Sequence, residues 1–230
     1  MNVGTGMPGA NKIPAGLLTR VLSALVLIPV VLTAVYYGSP WFSTLVVVGG
    51  FILAWEWSKM CHNKPLWLLF GAVYIIVPCW ALVHLRSDEV AGLETMIWLF
   101  VVVWAMDTGG YAFGVTIGGP KLSPKISPNK TWAGMIGGTL MAAIAGGVCA
   151  KLLGYDNLVL ICSVSAAIGI VSQIGDLVES SLKRHFDVKD SGSIMPGHGG
   201  LFDRVDGLMF AAVAVALLGA QGRGSILLWS

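Results

Sequence analysis

Charge is scarce in this chain. Asp, Glu, Lys and Arg make up 11% of its 230 residues, the formal net charge is only +2, and there are just four cysteines. The bases are scattered among loops and form no stripe, which excludes a nucleic-acid-binding surface. Cys61, Cys79, Cys149 and Cys162 lack metal-type spacing, and three of them sit in or beside apolar runs. They read as small core residues, and no disulfide framework is implied. No internal repeat or interdomain linker is visible. The first apolar run follows Lys12 and Arg20 as a signal peptide would, but Gly38-Ser39-Pro40-Trp41 offers no small-x-small cleavage pattern, so the run is expected to be a retained span.

Apolar residues fill the remainder: 56% of the chain is hydrophobic, mean hydropathy is +0.79, and 30 residues are glycine. Runs at 21–37, 41–57, 66–85, 95–113, 132–153, 158–178 and 207–229 reach or approach the length that crosses a bilayer. The fold class expected is therefore all-α: a polytopic transmembrane helix bundle of about seven to eight spans, with a polar cleft on its cytoplasmic side. Residues 1–16, rich in Gly and Pro, read as a mobile tail. With seven spans, eleven of the fourteen Lys and Arg residues fall in loops on one side and only Arg86, Lys151 and Arg223 on the other. The positive-inside rule then puts the N-terminus and both large polar loops in the cytoplasm.

Three polar segments on that side can carry chemistry. Asp107 lies near the end of an apolar run and is followed by Thr108-Gly109-Gly110; a carboxylate there is costly unless it is hydrated, paired or ligating. Ser123-Pro124 and Ser127-Pro128 are turn signals that present Lys121, Lys125 and Lys130 just ahead of a helix start, where free N–H groups and the dipole favour an anion such as phosphate. The third segment is the most charged. Residues 179–209 hold five acids, four bases and two histidines. Asp176, Glu179, Ser180 and Lys183 are spaced i, i+3, i+4 and i+7 and share a helix face, and Asp203 and Asp206 project together from the start of the last span. Between them, Pro196-Gly197-His198-Gly199-Gly200 is a turn whose backbone can approach a phosphate closely. Grouped carboxylates repel unless a cation lies between them, and hard oxygen ligands select Mg²⁺. A network of Asp–Lys and Asp–Arg pairs holding a loop to the bundle is the purely structural alternative. His185 and His198 lack zinc spacing and read as polar loop residues or phosphate contacts.

Ser180-Ser181-Leu182-Lys183-Arg184, Lys189-Asp190 and the run from Pro196 to Asp206 resemble the signature of the phosphatidate cytidylyltransferase (CDP-diacylglycerol synthase) family. The blocks Asp107–Tyr111, Ser127–Trp132 and Gly175–Ser180 are similar to that family's, in its order. The resemblance is strong over residues 95–210 and rests on hydropathy alone before them. It divides the chain into the tail 1–16, N-terminal spans 17–94 and a catalytic transmembrane domain 95–230. It implies an integral membrane nucleotidyltransferase of phospholipid biosynthesis in the bacterial inner membrane, with its site facing the cytoplasm. Such an enzyme joins CTP and phosphatidic acid into CDP-diacylglycerol and pyrophosphate with Mg²⁺.

By the same resemblance Asp176 and Asp203 are the expected Mg²⁺ ligands, with Asp206 and Glu179 in support. Asp176, Asp203, Lys183 and Arg204 are the expected catalytic set. Lys130, Ser127, Asn129, Arg184, Lys189, His198 and Asp107 are expected to bind the substrates. Membrane lipids are implied partners, and a homodimer is compatible with these features. Three departures stand out: Ala133 where many members carry Glu, Gly207 where the family usually has Ser, and Met195 where Leu, Ile or Phe is expected. The alternatives are a CTP-dependent enzyme acting on another lipid, such as a polyprenol kinase or a CDP-archaeol type synthase, and less readily a transporter.

Overall fold

A computed structural model describes residues 17–192, 194, 199–220 and 224–229; the expected tail 1–16 and the His198 contact lie outside the described residues. Among the described residues, seven long helices run back and forth: α1 (Leu17–Tyr37), α2 (Trp41–Met60), α3 (Pro65–Arg86), α4 (Gly92–Thr116), α5 (Trp132–Leu152), α6 (Leu158–His185) and α7 (Phe202–Gly219). Each expected span overlaps one of them, but fewer than the expected seven to eight qualify as membrane spans, and no eighth long helix exists among the described residues. Helix is the form these runs must take, because hydrocarbon offers nothing to an unpaired backbone N–H or C=O. Among the described residues, five helices, α2 to α6, are long and apolar enough to cross a membrane. Their outward side chains are greasy: Phe51 is 74% and Val159 82% exposed. Such surfaces belong against lipid tails.

The structure departs from the sequence expectations in three places. First, the fold is not purely helical, because a two-stranded antiparallel hairpin, β1 (Lys121–Ser123) and β2 (Ser127–Thr131), joins α4 to α5 with Lys121 opposite Thr131. Its Ser-Pro pairs exclude a continuous helix, since proline removes a donor and restricts the residue before it. Second, α6 continues past residue 178 to His185. At 28 residues it is about 42 Å long, more than the hydrocarbon core needs, so its polar last turns extend beyond the apolar stretch. Third, the last helix starts earlier than expected and ends at Gly219. The chain then packs back as a 3-10 turn, Ile226–Leu228, tied to α4 by a 2.6 Å hydrogen bond between Thr95 and Ser225.

Helices α4 and α5 approach most closely, along a stripe of small residues. Gly134, Gly138, Ala142, Gly146 and Ala150, each four apart on α5, are all buried. A Cβ on Gly134 would stand 2.6 Å from the Gly110 carbonyl oxygen, and one on Gly138 2.7 Å from that of Met106. In a membrane, where burial from water does not drive helices together, this backbone proximity is what yields van der Waals attraction. At the end remote from the hairpin, Arg86 caps α1 by donating to the carbonyls of Val35 (2.5 Å) and Tyr36 (3.0 Å). Tyr155 donates to Glu94 at that same end, and all four cysteines carry free thiols.

Gly134→Ala is expected to destabilise the bundle by about 1–3 kcal/mol through overpacking of α4 against α5. Thermal unfolding in detergent would report this as a lower melting temperature. An unchanged melting temperature would mean that the two helices separate without penalty and that the stripe does not hold them.

Candidate active site

The ends of α2, α4 and α6 and the starts of α3, α5 and α7 meet at the hairpin end of the bundle. Here the i, i+3, i+4, i+7 spacing on α6 becomes a polar face: Ser180 donates to Asp176 Oδ1 (3.3 Å), and Lys183 pairs with Glu179 Oε2 (2.7 Å). Crossing α6 closely, α7 brings its own acids to that face. The crossing is tight because of glycine: a Cβ on Gly175 would meet the Asp206 carbonyl oxygen at 2.9 Å, and one on Gly207 would meet Ser172 Oγ at 2.4 Å. Gly207, where the resembling family usually carries Ser, thus makes room for the hydroxyl of Ser172.

Three carboxylates converge in consequence. Oxygens of Asp176, Glu179 and Asp206 lie within 4.8 Å of one another, a spacing that suits ligands of a shared cation. Glu179 is buried, and its Oε1 has no hydrogen-bond partner. From β2, Lys130 pairs with Asp176 Oδ2 at 2.5 Å. On α4, Asp107 lies close enough to Asp176 and Lys130 to interact electrostatically. The local geometry that delivers Lys130 is simple: Thr131, the next residue, caps α5 by accepting from Gly134 N–H (3.0 Å).

Asp203 stands beside this trio and has other partners. Its Oδ1 pairs with Lys183 (2.6 Å), while Oδ2 accepts from the Ser191 N–H (3.1 Å), the Ser191 hydroxyl (3.0 Å) and the Gly200 N–H (3.0 Å). Of the four acids expected at the cation, Asp176, Glu179 and Asp206 meet within 4.8 Å, and Asp203 lies beside them on Lys183. Arg184 reaches the carbonyls of Val188 and Ile126 and so ties the end of α6 to the hairpin. Lys189, Arg204 and Asn129 are exposed, and Ser127 is half-buried on β2.

Sequence reasoning missed three residues that the fold brings here. Glu56 on α2 is 1% exposed and accepts from the Leu201 and Phe202 N–H groups. Its signal was present, as the one acid in the apolar run Ala54-Trp55-Glu56-Trp57. Ser191 was in view but its bonds to Asp203 were not legible. Tyr74 on α3 stacks on Trp57 and Phe202, with a buried hydroxyl near Asp206 and Glu179 that has no hydrogen-bond partner.

The cytidylyltransferase family model matches residues 64–220, more than half of the chain and the whole of this cluster except Glu56. The chain belongs to the cytidylyltransferase family. It is 34% identical over 254 residues to the phosphatidate cytidylyltransferase of Brucella suis biovar 1 (strain 1330), an alignment that covers 90% of this chain and 94% of the relative. The phosphatidate cytidylyltransferase of Rickettsia bellii (strain RML369-C) is 34% identical over 209 residues, covering 88% and 90%. That of Rickettsia felis (strain ATCC VR-1525 / URRWXCal2) is 33% identical over 200 residues, covering 84% and 88%.

Lys183 pairs with two acids at once, Glu179 and Asp203, whose side chains are only 2% and 10% exposed. Lys183→Ala is expected to lower stability by about 3 kcal/mol or more, since both carboxylates would remain buried without their cation. Thermal unfolding without added divalent ions checks this, and a variant as stable as wild type would mean that the pairs are solvated and weak.

Proposed function

We propose that this protein transfers the cytidylyl group of CTP to phosphatidic acid, releasing pyrophosphate and leaving CDP-diacylglycerol in the membrane. The observation that carries the reading is that the acid-and-lysine cluster lies inside the region matched by the family, in a chain aligned almost end to end with relatives named for this activity. A phosphate oxygen of the lipid attacks the α-phosphorus of CTP; the new P–O bond forms as the bond to the β-phosphate breaks, and the pyrophosphate carries away the electron pair. No general base is needed, because a phosphate monoester is already mostly ionised at neutral pH. The protein must hold the reactants in line and neutralise crowded negative charge.

Asp176, Glu179 and Asp206 supply three hard oxygen donors at a spacing that fits Mg²⁺, and the partnerless Glu179 Oε1 is a buried acceptor awaiting a cation. Bound there, Mg²⁺ would supply charge neutralisation at the triphosphate. Lys130, at the start of α5, is placed to hold a phosphate group together with the helix-start N–H groups. Lys183 keeps Asp203 and Glu179 in position, and the exposed Arg184, Lys189 and Arg204 form a basic rim for the triphosphate and the lipid phosphate. Among the described residues, Lys59, Lys64, the hairpin lysines and those of α6 to α7 gather at this end, against Arg86 and Lys151 at the other. We therefore orient the site toward the cytoplasm, with α1 and α7 as additional spans. CTP then arrives from water while the lipid enters sideways with its acyl chains still in the bilayer.

Membranes given CTP labelled at the α-phosphorus, Mg²⁺ and phosphatidic acid are expected to yield label extractable with lipid, and Asp176→Asn should reduce it by about a hundredfold or more. Transfer only of a γ-phosphate label would identify a CTP-dependent lipid kinase and overturn the reading.

Lys130→Ala is expected to raise the KM for CTP or lipid by about tenfold with unchanged expression, since it removes a phosphate contact worth about 1.4 kcal/mol. Kinetics equal to wild type would leave Lys130 only its ion pair with Asp176 and a role in setting topology.

A further inference from the structure

Glu56 belongs to the N-terminal helices, outside the segment matched by the family, yet it is among the most buried charged residues of the protein. Burying a carboxylate is costly unless donors surround it. Here they do. Oε1 accepts from the Leu201 N–H (3.0 Å), Oε2 from the Phe202 N–H (2.9 Å), and the Ser191 hydroxyl lies 3.5 Å from Oε2. Two glycines close around the group: a Cβ on Gly192 would stand 2.5 Å from Oε1, and one on Gly200 2.9 Å from it.

These donors are the opening N–H groups of α7. The residue at its N-cap, Leu201, offers no side-chain cap, so the helix start depends on an acceptor from elsewhere in the chain. Glu56 supplies it from 145 positions away, where a negative charge also complements the helix dipole. One and four residues past Phe202 come Asp203 and Asp206. The adjoining Trp57 packs on Phe202 with ring centroids 5.8 Å apart and donates its indole N–H to the Trp67 carbonyl (2.7 Å). Thus α2 grips the first turn of α7 through one polar and one aromatic contact on consecutive residues.

We infer that Glu56 is a positioning residue for cytidylyl transfer: it fixes the start of α7, and with it the place of Asp206 beside Asp176 and Glu179 and of Asp203 beside Lys183. The inference rests on the functional reading above. It gives the N-terminal helices a part in the chemistry, through a residue that touches neither substrate.

The test uses the full chain and the labelled-CTP assay, with turnover expressed per folded molecule. Glu56→Gln keeps the shape but sets an NH₂ against an N–H donor. It is expected to lower kcat about tenfold and to raise the Mg²⁺ concentration for half-activation about tenfold, the scale typical of groups that orient ligands. Gly192→Ala, which presses on Glu56 from the loop, should shift both quantities the same way. Variants that yield less protein but show wild-type kcat and wild-type Mg²⁺ dependence would reduce Glu56 to a folding role and overturn the proposal. Hydrogen exchange on the unaltered protein tests it without any variant: the Leu201 and Phe202 amides should be protected, and rapid exchange at both would overturn it. Wild-type protein that puts no cytidine on lipid would refute the functional reading instead, leaving the amide exchange to judge whether Glu56 holds α7.

Discussion

Lys183 joins the end of α6 to the start of α7 by binding Glu179 and Asp203 at once, and the rest of the polar cluster is arranged around that junction. Among the described residues, five carboxylates, those of Asp107, Asp176, Glu179, Asp203 and Asp206, gather around the ammonium groups of Lys130 and Lys183. In a bundle surrounded by hydrocarbon this imbalance is poorly screened. It can be relieved by a cation in the Asp176–Glu179–Asp206 gap, and a bound cation would in turn attract the triphosphate. The charge excess that would destabilise an ordinary core is, in this reading, what makes the site bind.

Packing keeps that arrangement in place. Glycine at 175 and 207 lets α6 and α7 cross within reach of each other's backbone, and the small-residue stripe on α5 does the same for α4. Aromatic rings pack beside the acids, with Trp57, Tyr74 and Phe202 stacked or tilted against one another. Helix α2 contributes Glu56 and Trp57 from one turn, so the N-terminal helices are part of the frame that sets the acids and more than a membrane anchor.

Much of this was legible in the sequence, for reasons that differ by element. Apolar runs located the helices because lipid leaves a spanning segment no other regular form. The run ending at 178 misplaced the end of α6, because hydropathy falls at Asp176 while the helix continues through the Glu179–Lys183 pair. Asp176, Glu179 and Lys183 could be grouped by spacing since they share one helix. Lys130 and Asp176 could not be paired in that way, being 46 positions apart and joined only by the fold. The same limit applies to Asp203 and Asp206: three apart, they point about 60° from each other around α7, and only the crossing angle decides which faces Asp176. Glu56 stands out as a lone acid in an apolar run, but its partners do not, since the Leu201 and Phe202 N–H groups are backbone and carry no signature in sequence.

We propose that Asp176, Glu179 and Asp206 hold a divalent cation while Lys183 keeps Asp203 aside. Crystals grown with Mn²⁺ and a non-hydrolysable CTP analogue test it through anomalous scattering. A peak bounded by those three carboxylates and in contact with the nucleotide phosphates, with the Lys183–Asp203 pair intact, is the expected result. A peak centred on Asp203, or nucleotide bound with no metal between the three acids, would contradict it.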